Sequence, residues 1–148
     1  MFKKITVGFD GSEPSENALR LACDLAEKYG SEVHISHTPK PETVAFAMGA
    51  VAGYHVATTM PSAEEVAEAA QKVLTKARGI AESAGCAKPV AHVGDGEPAQ
   101  ALIDHAEEVG CDLIVTGRRG LGNLTAMVLG STSQRVGHLA KCAHMTVA

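Results

Sequence analysis

The chain has 148 residues, a formal net charge of −4 and 45% apolar residues, with no tryptophan and four cysteines. One domain of that length buries a core without disulfides or metal, and abundant alanine and glycine beside few aromatics predict an aliphatic core in closely packed layers. A mildly acidic chain without a long basic run excludes nucleic acid and an anionic membrane as main partners, and the local Arg118–Arg119 pair does not alter that.

Residues 4 to 9, KITVGF, read as a short β-branched strand that stops at Asp10-Gly11-Ser12. Ser12 is placed to cap a helix whose first turn carries Glu13, Pro14 and Glu16. Ala18, Leu19, Ala22, Leu25, Ala26 and Tyr29 then recur at helical spacing, and Gly30 ends the element. EVHISHT (32 to 38) is a second strand. SAEE at 62 to 65 is a capping-box pattern for a second helix running to about Gly85. The connection at about 40 to 61 is long for a compact domain, which marks it as a cover over a site or part of an interface. Its apolar stretch 44 to 60 is shorter than the ~20 residues a membrane span needs and carries two glycines and His55.

KPVAHVG (88 to 94) is a third strand, Pro98 opens a third helix, and CDLIVTG (111 to 117) is a fourth strand. A helix over about 131 to 141 and a short strand HMTVA follow. Strands alternate with helices throughout, and the fourth is a continuous apolar run of the kind buried on both faces of a parallel sheet. The expected architecture is a single-domain three-layer α/β sandwich; alternation alone leaves the strand order open. The opening residues have too short an apolar run for an export signal, and Cys23, Cys86, Cys111 and Cys142 show neither C-x-x-C pairs nor regular spacing. Free thiols in a reducing cytoplasm is the expectation.

Two strand ends carry unusual chemistry, GFDGS after the first strand and TGRRGLG after the fourth. In a parallel sheet both lie on one edge, so Asp10 and the glycine loop face one crevice if those strands are neighbours. Gly117 and Gly120 permit positive φ and close approach of a ligand to the backbone, and Gly130-Ser131-Thr132 stands at a helix start, where unpaired amides and the helix dipole favour an anion. Arg118 or Arg119 adds charge. The spacing is neither a P-loop nor the dinucleotide G-x-G-x-x-G. A plain strand-to-helix turn with a capping serine is the competing reading.

ITVGFDGS at the start, GEPAQALIDHAEEVGCDLIVTGRRG in the second half, and Gly117-x-x-Gly120 followed by Gly130-Ser131 together resemble the universal stress protein family over essentially the whole chain, the 40 to 61 connection excepted. The resemblance implies an adenine nucleotide α-hydrolase-like fold, a five-stranded parallel sheet of order 3-2-1-4-5, and a homodimer, with a tetramer as the alternative. It implies that Asp10 serves the adenosine end, that Thr38 lies beside the base, and that Gly117, Gly120 and Gly130 with Ser131 and Ser133 hold ribose and phosphates. Gly8 and Thr116, beside these on the two strands, with Arg119 and Thr132, complete the expected set. The ligand is ATP, or ADP or AMP, with or without Mg.

Two departures stand out. The family's usual chain end, CPVLVV, is here CAHMTVA, which puts the pairing of the last strand and the dimer mode in question. Thr38 occupies a position where an aliphatic residue is common.

His34 and His37 fall on opposite faces of a strand and are expected to be structural or solvent-facing rather than metal ligands. Cys142 and His144 are too few for zinc. LTAMVL (124 to 129) is expected to pack against the core or a partner subunit. No base or metal ligand for γ-phosphate chemistry is evident, so binding is favoured over catalysis, with slow ATP hydrolysis at most. The expectation is a cytoplasmic ATP-binding regulator of stress response or of an unidentified protein partner, in which phosphates gather residues 117 to 133, with or without the 40 to 61 connection, and alter a surface that the partner reads. The rivals are a weak ATPase or phosphotransferase and a nucleotide-free dimeric interaction module.

Overall fold

Parallel strand pairing organises the computed structural model, which describes residues 1–41, 43–45, 48, 60–121 and 129–148. Strands β1 (Lys4–Gly8), β2 (Glu32–His37), β3 (Val90–Val93), β4 (Leu113–Gly117) and β5 (Ala143–Val147) form one sheet of order β3-β2-β1-β4-β5. Among the described residues, helices α1 (Glu13–Tyr29), α2 (Ala63–Ser83), α3 (Pro98–Val109) and α4 (Ser131–Leu139) lie between and beside them in the chain. The sheet winds outward from β1 through β2 to β3, then returns to place β4 on β1's other side. The winding therefore reverses between β1 and β4, where open parallel sheets bind ligands at their carboxyl ends.

Local chemistry sets the element ends. Ser12 caps α1 through a bond from the Ser15 N–H at 3.4 Å, and Gly30 closes it in the left-handed region at φ 67°. Ser62 and Glu65 form a reciprocal capping box on α2, with bonds of 2.7 and 3.2 Å. Both helices start where the sequence predicts, and α2 ends at Ser83, two residues before Gly85. At α3 the cap is Glu97, whose carboxylate accepts from the Ala99 and Gln100 amides.

The two sheet faces differ in kind. On one, Ile5, Val7, Val33, Ile35, Leu113 and Val115 meet the alanine and leucine stripes of α1 and α2 in an aliphatic core. Opposite-face positions follow from the register Thr6↔His34 and Thr6↔Ile114, since cross-strand partners share a side. There Ile114 packs with α3 and Val136 of α4, but Thr6, His34, Ser36 and Thr116 are also buried. This second face thus mixes polar side chains with apolar ones, which the apolar count does not suggest.

The edge strand β5 runs parallel to β4 in the register Leu113↔Ala143 through Gly117↔Val147. The altered chain end therefore keeps the strand. Most of the 40 to 61 connection, and residues 124 to 128 of LTAMVL, lie outside the described residues.

Candidate functional site

Asp10 follows β1 at the switch point, half-buried. Its Oδ1 accepts from the Ser12 N–H at 2.9 Å and the Ser12 hydroxyl at 2.5 Å, which fixes the carboxylate against the α1 cap. The other oxygen faces the glycine loop: a Cβ added at Gly120 would collide with Asp10 Oδ2. The expectation that the two strand ends share a crevice is met at this contact.

The glycine edge is built from backbone. At Gly117 an added Cβ would stand 2.8 Å from both Pro14 C and Ser15 N, so the end of β4 touches the first turn of α1 directly. The Arg118 N–H donates to Val147 O at 2.5 Å, and the Gly130 N–H donates to Arg118 O at 2.7 Å. Residues 118 to 120 are thereby held between Asp10 on one side and Gly130 on the other, where a Cβ would lie 3.3 Å from Arg119 Cα. Gly130, rather than Ser131, is the N-cap of α4 and supplies no side-chain bond. The amides of Ser131 and Thr132 consequently lack a side-chain cap, leaving a partial positive charge at the crevice. Arg119 and Ser131 are exposed beside it, and Thr132 is half-buried.

Three predicted residues point elsewhere. Ser133 is 2% exposed; its hydroxyl donates to Gly117 O at 2.5 Å and lies 2.9 Å from Thr116 Oγ1, which in turn meets His144 Nε2 at 2.9 Å. This chain of three side chains braces β4, α4 and β5 beneath the loop, so both Thr116 and Ser133 serve the floor of the site. Burial lowers the His144 pKa, keeping the imidazole neutral; with the Ser133 proton on Gly117 O and the Thr116 proton on Ser133, His144 Nε2–H donates to Thr116. Replacing His144 with leucine strands Thr116 on one partner and is expected to cost about 1 kcal/mol in urea unfolding. Gly8 makes room for α3, since a Cβ there would stand 2.8 Å from Leu102 Cδ2.

Thr38 follows β2 and lies against Gly94, where an added Cβ would collide with its hydroxyl; the Gly94 N–H donates to His37 O at 2.8 Å. Gly94 was not singled out from sequence, and a lone glycine after a strand carries no signal of a tight threonine contact.

His37, expected to be structural or solvent-facing, takes the structural alternative, beside the site. It is 8% exposed, and its Nδ1 lies 2.8 Å from Phe9 O, so this nitrogen carries the proton. Burial lowers its pKa, opposed by that backbone bond and by the Asp10 charge. A neutral imidazole thus stands behind Asp10. Lys76 of α2 reaches the same turn, 2.6 Å from Glu16 and 3.5 Å from Gly11 O.

Among the described residues no group of three or more histidine, cysteine or acidic side chains is arranged to hold a metal. No helix of the described residues is long and apolar enough to cross a membrane.

A family model described as the universal stress protein family matches residues 1–148. The universal stress protein YxiE of Bacillus subtilis (strain 168) is 34% identical over 145 residues, covering 96% of each chain. A solved universal stress protein in complex with cAMP superposes with a TM-score of 0.71 at 24% identity, over 99% of this chain and 97% of that one. A universal stress protein from Archaeoglobus fulgidus in complex with dAMP gives a TM-score of 0.70 at 23% identity, over 99% and 98%.

Proposed function

Because the chain belongs to the universal stress protein family, we propose that it binds an adenine nucleotide between the carboxyl ends of β1 and β4 and acts as a nucleotide-responsive regulator. The observation that carries this reading is the contact of the Asp10 carboxylate with the Gly120 backbone at the point where the sheet's winding reverses. A carboxylate suits ribose hydroxyls or the adenosine amino group, whereas uncapped amides at the start of α4 suit phosphates. Asp10 and Thr38 then serve the adenosine end, and Gly117, Arg119, Gly120, Gly130, Ser131 and Thr132 the phosphate end. Thr116, Ser133 and His144 keep that floor rigid. The cAMP and dAMP held by the two structural neighbours support an adenine ligand.

Binding is proposed rather than turnover, because the phosphate end offers backbone, hydroxyls and arginine without a base among the described residues. ATP is the proposed ligand, with ADP and AMP as alternatives; where ATP binds, Mg accompanies its phosphates. Exposed β5, an edge strand carrying Met145, is the surface proposed for a homodimer, with a tetramer as the further step. A cytoplasmic site of action, in stress response and through a protein partner, completes the reading.

Mass spectrometry of nucleotide released by acid from fresh protein, followed by calorimetry of stripped protein with ATP, ADP, AMP and cyclic AMP, tests the binding. Co-purified nucleotide and saturable rebinding are expected. Gly120→Glu, which fills the space facing Asp10 and adds a like charge, is expected to abolish binding, and Asp10→Asn to weaken it by roughly tenfold through loss of a charged hydrogen bond. Folded wild-type protein that takes up none of the four nucleotides would sink the proposal.

A further inference from the structure

Cys111 and Cys142 lie far apart in sequence but leave neighbouring strands at the same edge. Cys111 stands two residues before β4 starts and Cys142 one residue before β5, and the register pairs Leu113 with Ala143. Both thiols are half-buried and line one cavity of about 220 Å³, with Ile103, Ala106, Ile114 and Lys141. Both side chains pack against the same apolar cluster of α3, β4 and α4, and the Cys111 Sγ donates to Leu113 O at 3.0 Å. This edge is the amino end of the strands, opposite the nucleotide crevice.

We propose that Cys111 and Cys142 form a reversible intramolecular disulfide, a redox-modification site reached from this cavity by a low-molecular-weight disulfide. Thiol–disulfide exchange supplies the chemistry. The Cys111 thiolate attacks one sulfur of the external disulfide, forms a mixed disulfide and expels the first small thiolate. Cys142 then loses its proton and attacks the Cys111 sulfur, expelling the second. Two protein thiols are oxidised by two electrons, one external disulfide is reduced to two thiols, and the protons end on those thiols. Burial, reinforced by Cys111, raises the Cys142 pKa, which makes Cys142 the second of the two to react.

The bond would close a ring from 111 to 142 that contains the whole glycine loop and α4, so the oxidised chain has less freedom to lose on folding. A second thiol pair provides an internal contrast. Cys86 packs against the core cluster that contains Cys23, but Cys23 is 1% exposed and burial pushes its thiol up to about 12, which withholds both access and thiolate.

The full chain, equilibrated in reduced and oxidised glutathione at varied ratios, would be acid-quenched, alkylated, digested and mapped. The expected result is loss of two of the four thiols, a cross-linked peptide joining Cys111 to Cys142, and a higher thermal midpoint for the oxidised form. In Cys142→Ser, a mixed glutathione disulfide should persist on Cys111. Four alkylated thiols at the most oxidising ratio, a Cys23–Cys86 cross-link formed first, or unresolved glutathione on wild-type Cys111 would each overturn the proposal. Since the measurement reads thiols in protein without nucleotide, its outcome is independent of the adenine-binding reading.

Discussion

Acidification from pH 7 to pH 4 is expected to cost the fold about 3 kcal/mol through His105 alone. This side chain of α3 is 7% exposed, stacked on His92 of β3 at 3.9 Å between ring centroids, with its Nε2 3.2 Å from His34 Nδ1. Burial first, then the neighbouring His92 and His34, lowers its pKa from 6.5 to about 4. Among the described residues the buried Nδ1 atom has no hydrogen-bond partner, so they offer a proton there no acceptor. The Glu32 carboxylate is bonded to His34 Nε2 at 2.5 Å, on the side of that ring away from His105 Nε2, which meets His34 Nδ1.

A folded pKa below the unfolded one means that the unfolded chain takes the proton first. Stability from this group is therefore complete above about pH 6.5, falls as the pH drops below it, and is fully lost below about 4. Burial lowers His37 and His144 in the same direction, which steepens the same limb. Urea unfolding at intervals between pH 7.5 and pH 4, in wild type and in His105→Phe, measures the effect. Phenylalanine keeps the stack on His92 and removes the titration, so its slope should be shallower; equal slopes would exclude His105 as the source.

That cluster shows what the sequence did not reveal. Alternation puts His34 and His37 on opposite faces, as observed, but says nothing of which face carries a helix or which helix residue lies opposite. His34, His92 and His105 come from three elements, and only the sheet order β3-β2 with α3 above it brings them together. By contrast, the element ends were legible because capping is local: Ser12, Ser62 with Glu65, Gly30 and Pro98 act within one turn of the chain. The sheet order 3-2-1-4-5 came through the family resemblance of the assembled motifs, since alternation of strands and helices fits several windings. At the candidate site the shared crevice was legible from the two strand ends. The inward turn of Ser133 was not, because the partners that draw it inward, the Thr116 hydroxyl and the Gly117 carbonyl, are 17 and 16 residues away.

Gly117→Ala is expected to destabilise the fold by about 2–3 kcal/mol, within the range for overpacked interiors. The cause is space rather than backbone conformation, for Gly117 is not among the glycines in the left-handed region. The added methyl would meet Pro14 C and Ser15 N at 2.8 Å and Pro14 Cβ at 2.9 Å, backbone and ring atoms that no rotamer change can move. Relief requires the end of β4 and the start of α1 to separate. Neither end is free to do so: Asp10 and Ser12 bind the helix start to the end of β1, while the carbonyl of Gly117 accepts from Ser133. Gly110→Ala provides the comparison, because that glycine has φ 67° with open space around its Cβ position, so its cost is conformational and about 1–2 kcal/mol. Urea midpoints of the two variants should therefore rank Gly117→Ala below Gly110→Ala, with the nucleotide affinity of the first falling as the glycine loop is pushed off Asp10. A Gly117→Ala protein within about 0.5 kcal/mol of wild type would mean that β4 and α1 are less closely apposed than this contact requires, and the crevice built on it would lose its fixed wall.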